Sequence, residues 1–272
     1  MRPKYKFSSH RTRNLKNIKK QRQKYPDLVE KIIGNSDVIL EILDARFIED
    51  TRNKNIEKRI IDAGKKIIYV INKSDLVNER IQTELYPSIR TSCKERRGIK
   101  ELRDKIKEVA SKIKKENRIV VGILGYPNTG KSSLINLLIG KNSAKTGSEA
   151  GFTKGLQKLK LTSNIMLLDS PGVIPQEKYS GHDKESITEQ IKVGAKSYNQ
   201  ITDPETIVIK LMKNYRQVFE NYYKINAGED LEEFIEKLGR KLNFLKKGNQ
   251  VDVDKTSRKM LRDWQEGKIR VL

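Results

Sequence analysis

The nonapeptide GYPNTGKSS, residues 125–133, restricts the possible folds of this chain more than any other feature. It satisfies G-x-x-x-x-G-K-S at Gly125, Gly130, Lys131 and Ser132. Glycines at that spacing let the backbone curl so that successive N–H groups face phosphate oxygens, and a following helix adds its positive N-terminus. The flanks supply that context: the apolar run RIVVGILG reads as a buried strand and SSLINLLIG as a helix. The loop from Gly125 through Tyr126, Pro127, Asn128, Thr129, Gly130, Lys131, Ser132 and Ser133 is therefore expected to bind phosphate. Lys131 would reach the β- and γ-phosphates and the Ser132 hydroxyl would ligate Mg²⁺.

Around this loop, apolar runs alternate with helical patterns. SDVILEILDAR, KKIIYVINKSDL and PSIRTSCK read as three strands ahead of RIVVGILG. Their near-continuous apolar character suits strands buried on both faces. TRNKNIEKRIIDAG and GIKELRDKIKEVASKIKKEN have helical spacing, the second through Ile99, Leu102, Ile106, Val109 and Ile113. After the loop, LQKLKLT and NIMLLDSPG read as two strands joined at Ser163-Asn164. This order predicts an α/β domain with a mostly parallel sheet covered on both sides.

Past about residue 185 the pattern becomes helical. Asp203 is placed to cap a helix with Pro204 in its first turn. Ile207, Leu211, Tyr215, Val218 and Tyr222 make one stripe. Leu231, Phe234, Ile235, Leu238, Leu242 and Leu245 make another, and Asp254 is expected to start a third helix running through Trp264. The predicted organisation is a basic arm (1–26), an α/β domain (27–184) and a small all-α domain (185–272).

Two further motifs define the chemistry. NIMLLD ends in Asp169-Ser-Pro-Gly172, where Asp169 at a strand end could hold the Mg²⁺ shell through water and the Gly172 N–H could sense the γ-phosphate. NKSD, residues 72–75, lies 53 positions before Gly125. An aspartate accepts from guanine N1–H and N2–H₂, donors that adenine does not present together, so Asp75 suits that edge and Asn72 suits O6/N7. Rejection of adenine would leave a carboxylate unpaired, which makes for strong discrimination. Lys73 can lay its stem along the base. Alone, the tetrapeptide equally suits a helix-capping turn. TSCKE, which follows another strand, strengthens the guanine reading, because the backbone around Ser92, Cys93 and Lys94 could contact O6.

The order NKSD, TSCK, GYPNTGKSS, DSPG resembles the circularly permuted GTPases of the YlqF/RbgA type, in which base-reading motifs precede phosphate motifs. DAR at Asp44–Arg46 is similar to a motif of that family, and the tail VDVDKTSRKMLRDWQEGKI resembles its archaeal and nucleolar branch. The resemblance implies a P-loop G domain in permuted order, GTP/GDP and Mg²⁺ as ligands, Thr153 as a further Mg²⁺ ligand, and assistance to large-ribosomal-subunit assembly. It also implies a K⁺ ion held by Asn128, although that side chain could simply shape the loop. Where many small GTPases carry a water-orienting Gln, this chain has Val173 after Gly172. His10 is the candidate replacement, because relatives carry a histidine near the start of the domain; contact with RNA is its alternative role.

Charge narrows the partner. The formal net charge is +22, and residues 1–26 hold ten Lys/Arg and no acid. Lys237–Arg262 hold nine more against Asp252 and Asp254. Such blocks suit phosphate backbones, so rRNA is the expected partner, bound largely without sequence readout. A GTP-gated switch with little turnover, acting on another RNA or partner, is the competing reading. No run approaches the about 20 apolar residues that span a bilayer, and the start lacks a signal peptide's apolar segment. The single cysteine, Cys93, leaves no disulfide partner. The expectation is a cytoplasmic protein, monomeric off the ribosome and not bound to membrane.

Overall fold

The computed structural model describes residues 27–77, 83–140, 157–169, 184–228 and 230–270. The basic arm with His10, Thr153, and the Ser170–Gly172 end of DSPG lie outside them, so the expectations for those positions stay with the sequence. A six-stranded sheet runs in the order β3-β2-β1-β4-β6-β5. Its strands are β1 (Val38–Asp44), β2 (Lys66–Asn72), β3 (Ser88–Arg90), β4 (Ile119–Gly125), β5 (Gln157–Lys160) and β6 (Ile165–Asp169). Every pairing is parallel except that of β5 with β6.

Side chains alternate across a strand, so each run divides between two layers. Val38, Leu40 and Ile42 of β1 join Ile68, Val121, Ile123 and Leu167 under α4 (Ile99–Ser111) and α5 (Lys131–Ile139). Ile39 and Leu43 join Tyr69, Leu124 and Leu168 on the other face, under α1 (residues 27–35) and α3 (Lys54–Asp62). A short turn of helix, α2 (Ile48–Thr51), follows β1. Helix α1, which carries Val29, Ile32 and Ile33 into the core, is an element the sequence pattern did not reveal.

The helical region comprises α6 (Lys184–Lys192), α7 (Pro204–Tyr223), α8 (Leu231–Lys241) and α9 (Val253–Gln265). Asp203 caps α7, accepting from Thr206 N–H at 3.2 Å, with Pro204 in the first turn. Three details differ from the sequence reading. Helix α4 stops at Ser111, and Ile113 reaches the core from the turn beyond it. In α7 the backbone at Tyr215 is non-helical (φ −130°, ψ 29°), which turns the following face so that Phe219 and Tyr223 go inside while Tyr222 stays exposed. Helix α9 is capped by Asp252, which accepts from Lys255 N–H at 3.0 Å. Asp254 lies within the first turn, too late to cap, and pairs with Arg258 at 2.7 Å.

Candidate nucleotide site

Ligand sites of parallel α/β sheets form beyond the carboxyl ends of the strands. Strand register gathers the motifs there: Asp44 lies opposite Asn72, and Ile42 opposite Gly125. Central β1 thus holds NKSD on one side and the phosphate loop on the other, and reversed chain order does not separate them in space.

Asn72 joins the two motifs. It is 1% exposed, and its Nδ2 donates to the Thr129 carbonyl inside the phosphate loop at 2.7 Å. Its Oδ1 accepts from Thr91 Oγ1 at 3.1 Å and from Cys93 Sγ at 3.4 Å. The second Nδ2 hydrogen is the one that would address the base. Asp75 accepts from Ser92 Oγ at 2.6 Å, so NKSD and TSCK are tied together by side chains as well as by Ser74 N–H to Thr91 O at 3.1 Å. Ser92 is buried and Lys94 exposed. Burial first, partly offset by the bond to Asn72, pushes the Cys93 thiol up to about 11, so it acts here as a neutral donor.

The loop is curled as phosphate binding requires. Gly130 has φ 95°, and a Cβ there would lie 2.3 Å from Asn72 Nδ2. Asn128 also takes a positive φ, 60°. Lys131 is folded back, donating to the carbonyls of Gly125 at 3.0 Å and Tyr126 at 2.6 Å. Burial lowers its amine to about 8, with Asp169 opposing. Thr129 Oγ1 closes the loop on the Tyr126 carbonyl at 2.9 Å. The Tyr126 side chain turns away into the helical core, leaving its backbone as the part that serves the loop.

Hard oxygen donors suit Mg²⁺. Asp169 ends β6, buried and within electrostatic reach of Lys131, and Ser132 is the second residue of α5. Among the described residues no cluster of three or more His, Cys, Asp or Glu could hold a metal by itself.

The sequence shows DAR only as a motif and does not reveal the contacts that make the floor and rim of this site. Asp44 is fully buried, and Arg46 and Lys73 both pair with it at 2.8 Å. Burial alone would raise the Asp44 carboxyl, but Arg46 and then Lys73 outweigh it and hold it well below the usual range. Phe47, next along the chain, stacks on Trp264 with ring centroids 5.9 Å apart. Asn128 Nδ2 donates to the Gly194 carbonyl at 2.9 Å, and a side chain at Gly267 would run into Leu76 just after NKSD. The helical region therefore touches the turn after DAR, the phosphate loop and Leu76 just after NKSD. The FIED segment after DAR was the available sign: an aromatic just beyond a buried strand needs a cover.

Residues 120–243 match the model of a family described as 50S ribosome-binding GTPases. The GTP-binding protein MJ1464 of Methanocaldococcus jannaschii is 40% identical over 252 residues, covering 89% of this chain and 65% of that protein. Nucleolar GTP-binding protein 2 of Saccharomyces cerevisiae is 33% identical over 255 residues, covering 88% of this chain and 51% of that one. The chain spans about half to two thirds of the length of these curated relatives. The crystal structure of GNP-bound YlqF from T. maritima shares the fold with a TM-score of 0.63 at 23% identity, covering 90% of this chain and 94% of that one. With NKSD ahead of the G-x-x-x-x-G-K-S loop, the chain shares the fold of the circularly permuted GTPase YlqF, and its sequence is similar to those of GTP-binding proteins of archaea and the nucleolus.

Proposed function

We propose that this chain binds GTP and GDP, hydrolyses GTP and assists assembly of the large ribosomal subunit through rRNA contacts. The observation that carries the nucleotide reading is the Asn72 amide, which bridges TSCK and the phosphate loop at hydrogen-bond distance. Asp75 would exchange the Ser92 hydroxyl for guanine N1–H and N2–H₂, while the Lys73 stem covers the base. Lys131 would leave its two carbonyls for the β- and γ-phosphates, whose charge favours its protonated form. Mg²⁺, held by Ser132, Asp169 through water and Thr153, would neutralise charge on the phosphates. The amide oxygen of Asn128 is the group offered to K⁺, because its nitrogen is engaged with Gly194. Gly172 is assigned the γ-phosphate contact and His10 the orientation of attacking water. Hydrolysis then rests on positioning and charge stabilisation, slow until a partner completes the site.

The exposed lysines and arginines of Lys237–Arg262 and the arm 1–26 would grip rRNA phosphates, with affinity falling steeply with salt. Several relatives are named as nuclear or nucleolar proteins, which widens the expected cytoplasmic location to wherever large subunits form. Among the described residues no helix is long and apolar enough to cross a membrane. Val173 in place of the usual Gln favours a second reading, a GTP-gated RNA switch with little turnover. Two measurements test the proposal. Asp75→Asn should move preference from GTP to XTP, because xanthine presents a C2 carbonyl to the new amide. Co-sedimentation with large subunits should require GTP and accelerate hydrolysis; GTP-dependent binding without acceleration favours the switch, and binding indifferent to nucleotide refutes both. Higher turnover in K⁺ than in Na⁺ would support the Asn128 assignment.

A further inference from the structure

Asp44 is the residue at which the base-reading loop and the helical region meet. It ends β1, the strand that β2 and β4 flank, and no part of it is exposed. Its Oδ1 accepts from the Arg46 backbone N–H at 3.1 Å and from Arg46 Nε at 3.0 Å. Its Oδ2 accepts from Arg46 Nη2 and Lys73 Nζ, each at 2.8 Å. Arg46, with its side chain only 2% exposed, then spends Nη1 on the Trp264 carbonyl of α9 at 3.0 Å. One carboxylate is therefore shared between the lysine that would cover guanine and the arginine that holds the last helix.

We infer that Asp44 and Arg46 are positioning residues that couple guanine occupancy to the seating of the helical region. This rests on the guanine-binding reading proposed above. Lys73 sits in the left-handed region (φ 61°), so its backbone fixes where the stem starts and Asp44 fixes where it ends. The stem is then held across the space beside Asn72 and Asp75 before a base arrives. Arg46 fixes Asp44 in turn, and α9 fixes Arg46. A seated α9 thus pre-arranges the base cover, and preorganisation raises affinity by reducing what must be ordered on binding. Linkage makes the effect reciprocal, so a bound guanine nucleotide must tighten the seat of α9. The coupling passes through β1 and the DAR turn.

Trp264 is the one tryptophan of the chain and is fully buried against Phe47, Tyr215 and Phe219, so its fluorescence reports that seat directly. The full chain is titrated with mant-GDP for affinity, and separately with unlabelled GDP while acrylamide quenching of Trp264 is followed. In the unsubstituted protein GDP should lower quenching. Arg46→Met should weaken GDP binding about 5- to 30-fold, a coupling of usual size, and abolish the GDP-dependent change in quenching. Lys73→Met should weaken binding too, and the Lys73→Met/Arg46→Met pair should bind about as Lys73→Met alone. If Arg46→Met does not fold, Asp44→Asn, which keeps the shape but replaces one acceptor oxygen with a donor, should show the same loss. GDP affinity unchanged by Arg46→Met or Asp44→Asn, or strictly additive losses in the pair, would overturn the coupling and leave guanine binding standing. Failure of the unsubstituted protein to bind mant-GDP would instead refute guanine binding, and the coupling with it.

Discussion

Glu41 shows how a single buried side chain sets a pH dependence. It lies in β1 on the α1–α3 face, 3% exposed, and its Oε1 accepts from Asn53 N–H at 3.1 Å. Burial first, then the neighbouring Glu57 carboxylate, raise it from the usual 4.5 to about 8; the Asn53 N–H and Arg52 oppose this. Tyr69, packed on the same face, donates its hydroxyl to Glu57 at 3.1 Å. Between about pH 4.5 and 8 the folded protein holds a proton that the unfolded chain releases, so stability falls as pH rises through that window. Glu41→Gln keeps the acceptor for Asn53 and supplies a donor toward Glu57. It should raise stability at pH 8 by on the order of 2 kcal/mol and flatten the fall, measured by urea unfolding at pH 5 and 8. As a candidate base reader, Asn72 was legible from its tetrapeptide. Its bond to Thr129 was not, because no local pattern links residues separated by 57 positions. Asn72→Ala should cost about 1–3 kcal/mol of nucleotide affinity, since the Thr91 and Thr129 groups lose their partner; equilibrium titration with GDP checks it.

At the scale of elements, strands β1, β2 and β4 were legible because burial on both faces demands uninterrupted apolar runs. Helix ends were less so, because they depend on which side chain is free to turn back on the backbone. Asp252 and Asp254 present the same chemistry two residues apart, and α9 uses the first. Asp252→Ala should lower stability by about 1 kcal/mol, whereas Asp254→Ala, which removes an exposed pair with Arg258, should cost less than about 0.5 kcal/mol. Chemical denaturation of the two variants, side by side, decides the cap. In the phosphate loop, Gly130→Ala places a methyl group against the Asn72 amide in a backbone region that suits glycine. It should weaken nucleotide binding about tenfold or more while far-UV circular dichroism stays unchanged. The break at Tyr215 had no sequence signal, since neither proline nor glycine marks it.

At the scale of the molecule, the α/β and helical regions are joined by more than a connecting segment. Phe47 and Tyr126, from the turns after β1 and β4, belong to the same buried cluster as Leu211, Phe219 and Trp264. A shared apolar interface makes the two regions unfold together, so calorimetry should record one transition. Phe47→Ala should cost about 3–5 kcal/mol and separate it into two.

The sequence by itself determined the fold class and the layering. Motif spacing and apolar runs are local properties, and they sufficed for a permuted G domain with a mostly parallel sheet and a helical region after it. The tertiary structure alone decided which side chains meet: Asn72 with Thr129, Asp44 with both Lys73 and Arg46, and Arg46 with Trp264. Those pairings follow from strand register and from the docking of α9, which depend on how surfaces of the whole chain fit. Chain order does not encode that fit, and for that reason the sheet gathers the motifs even though their order is permuted.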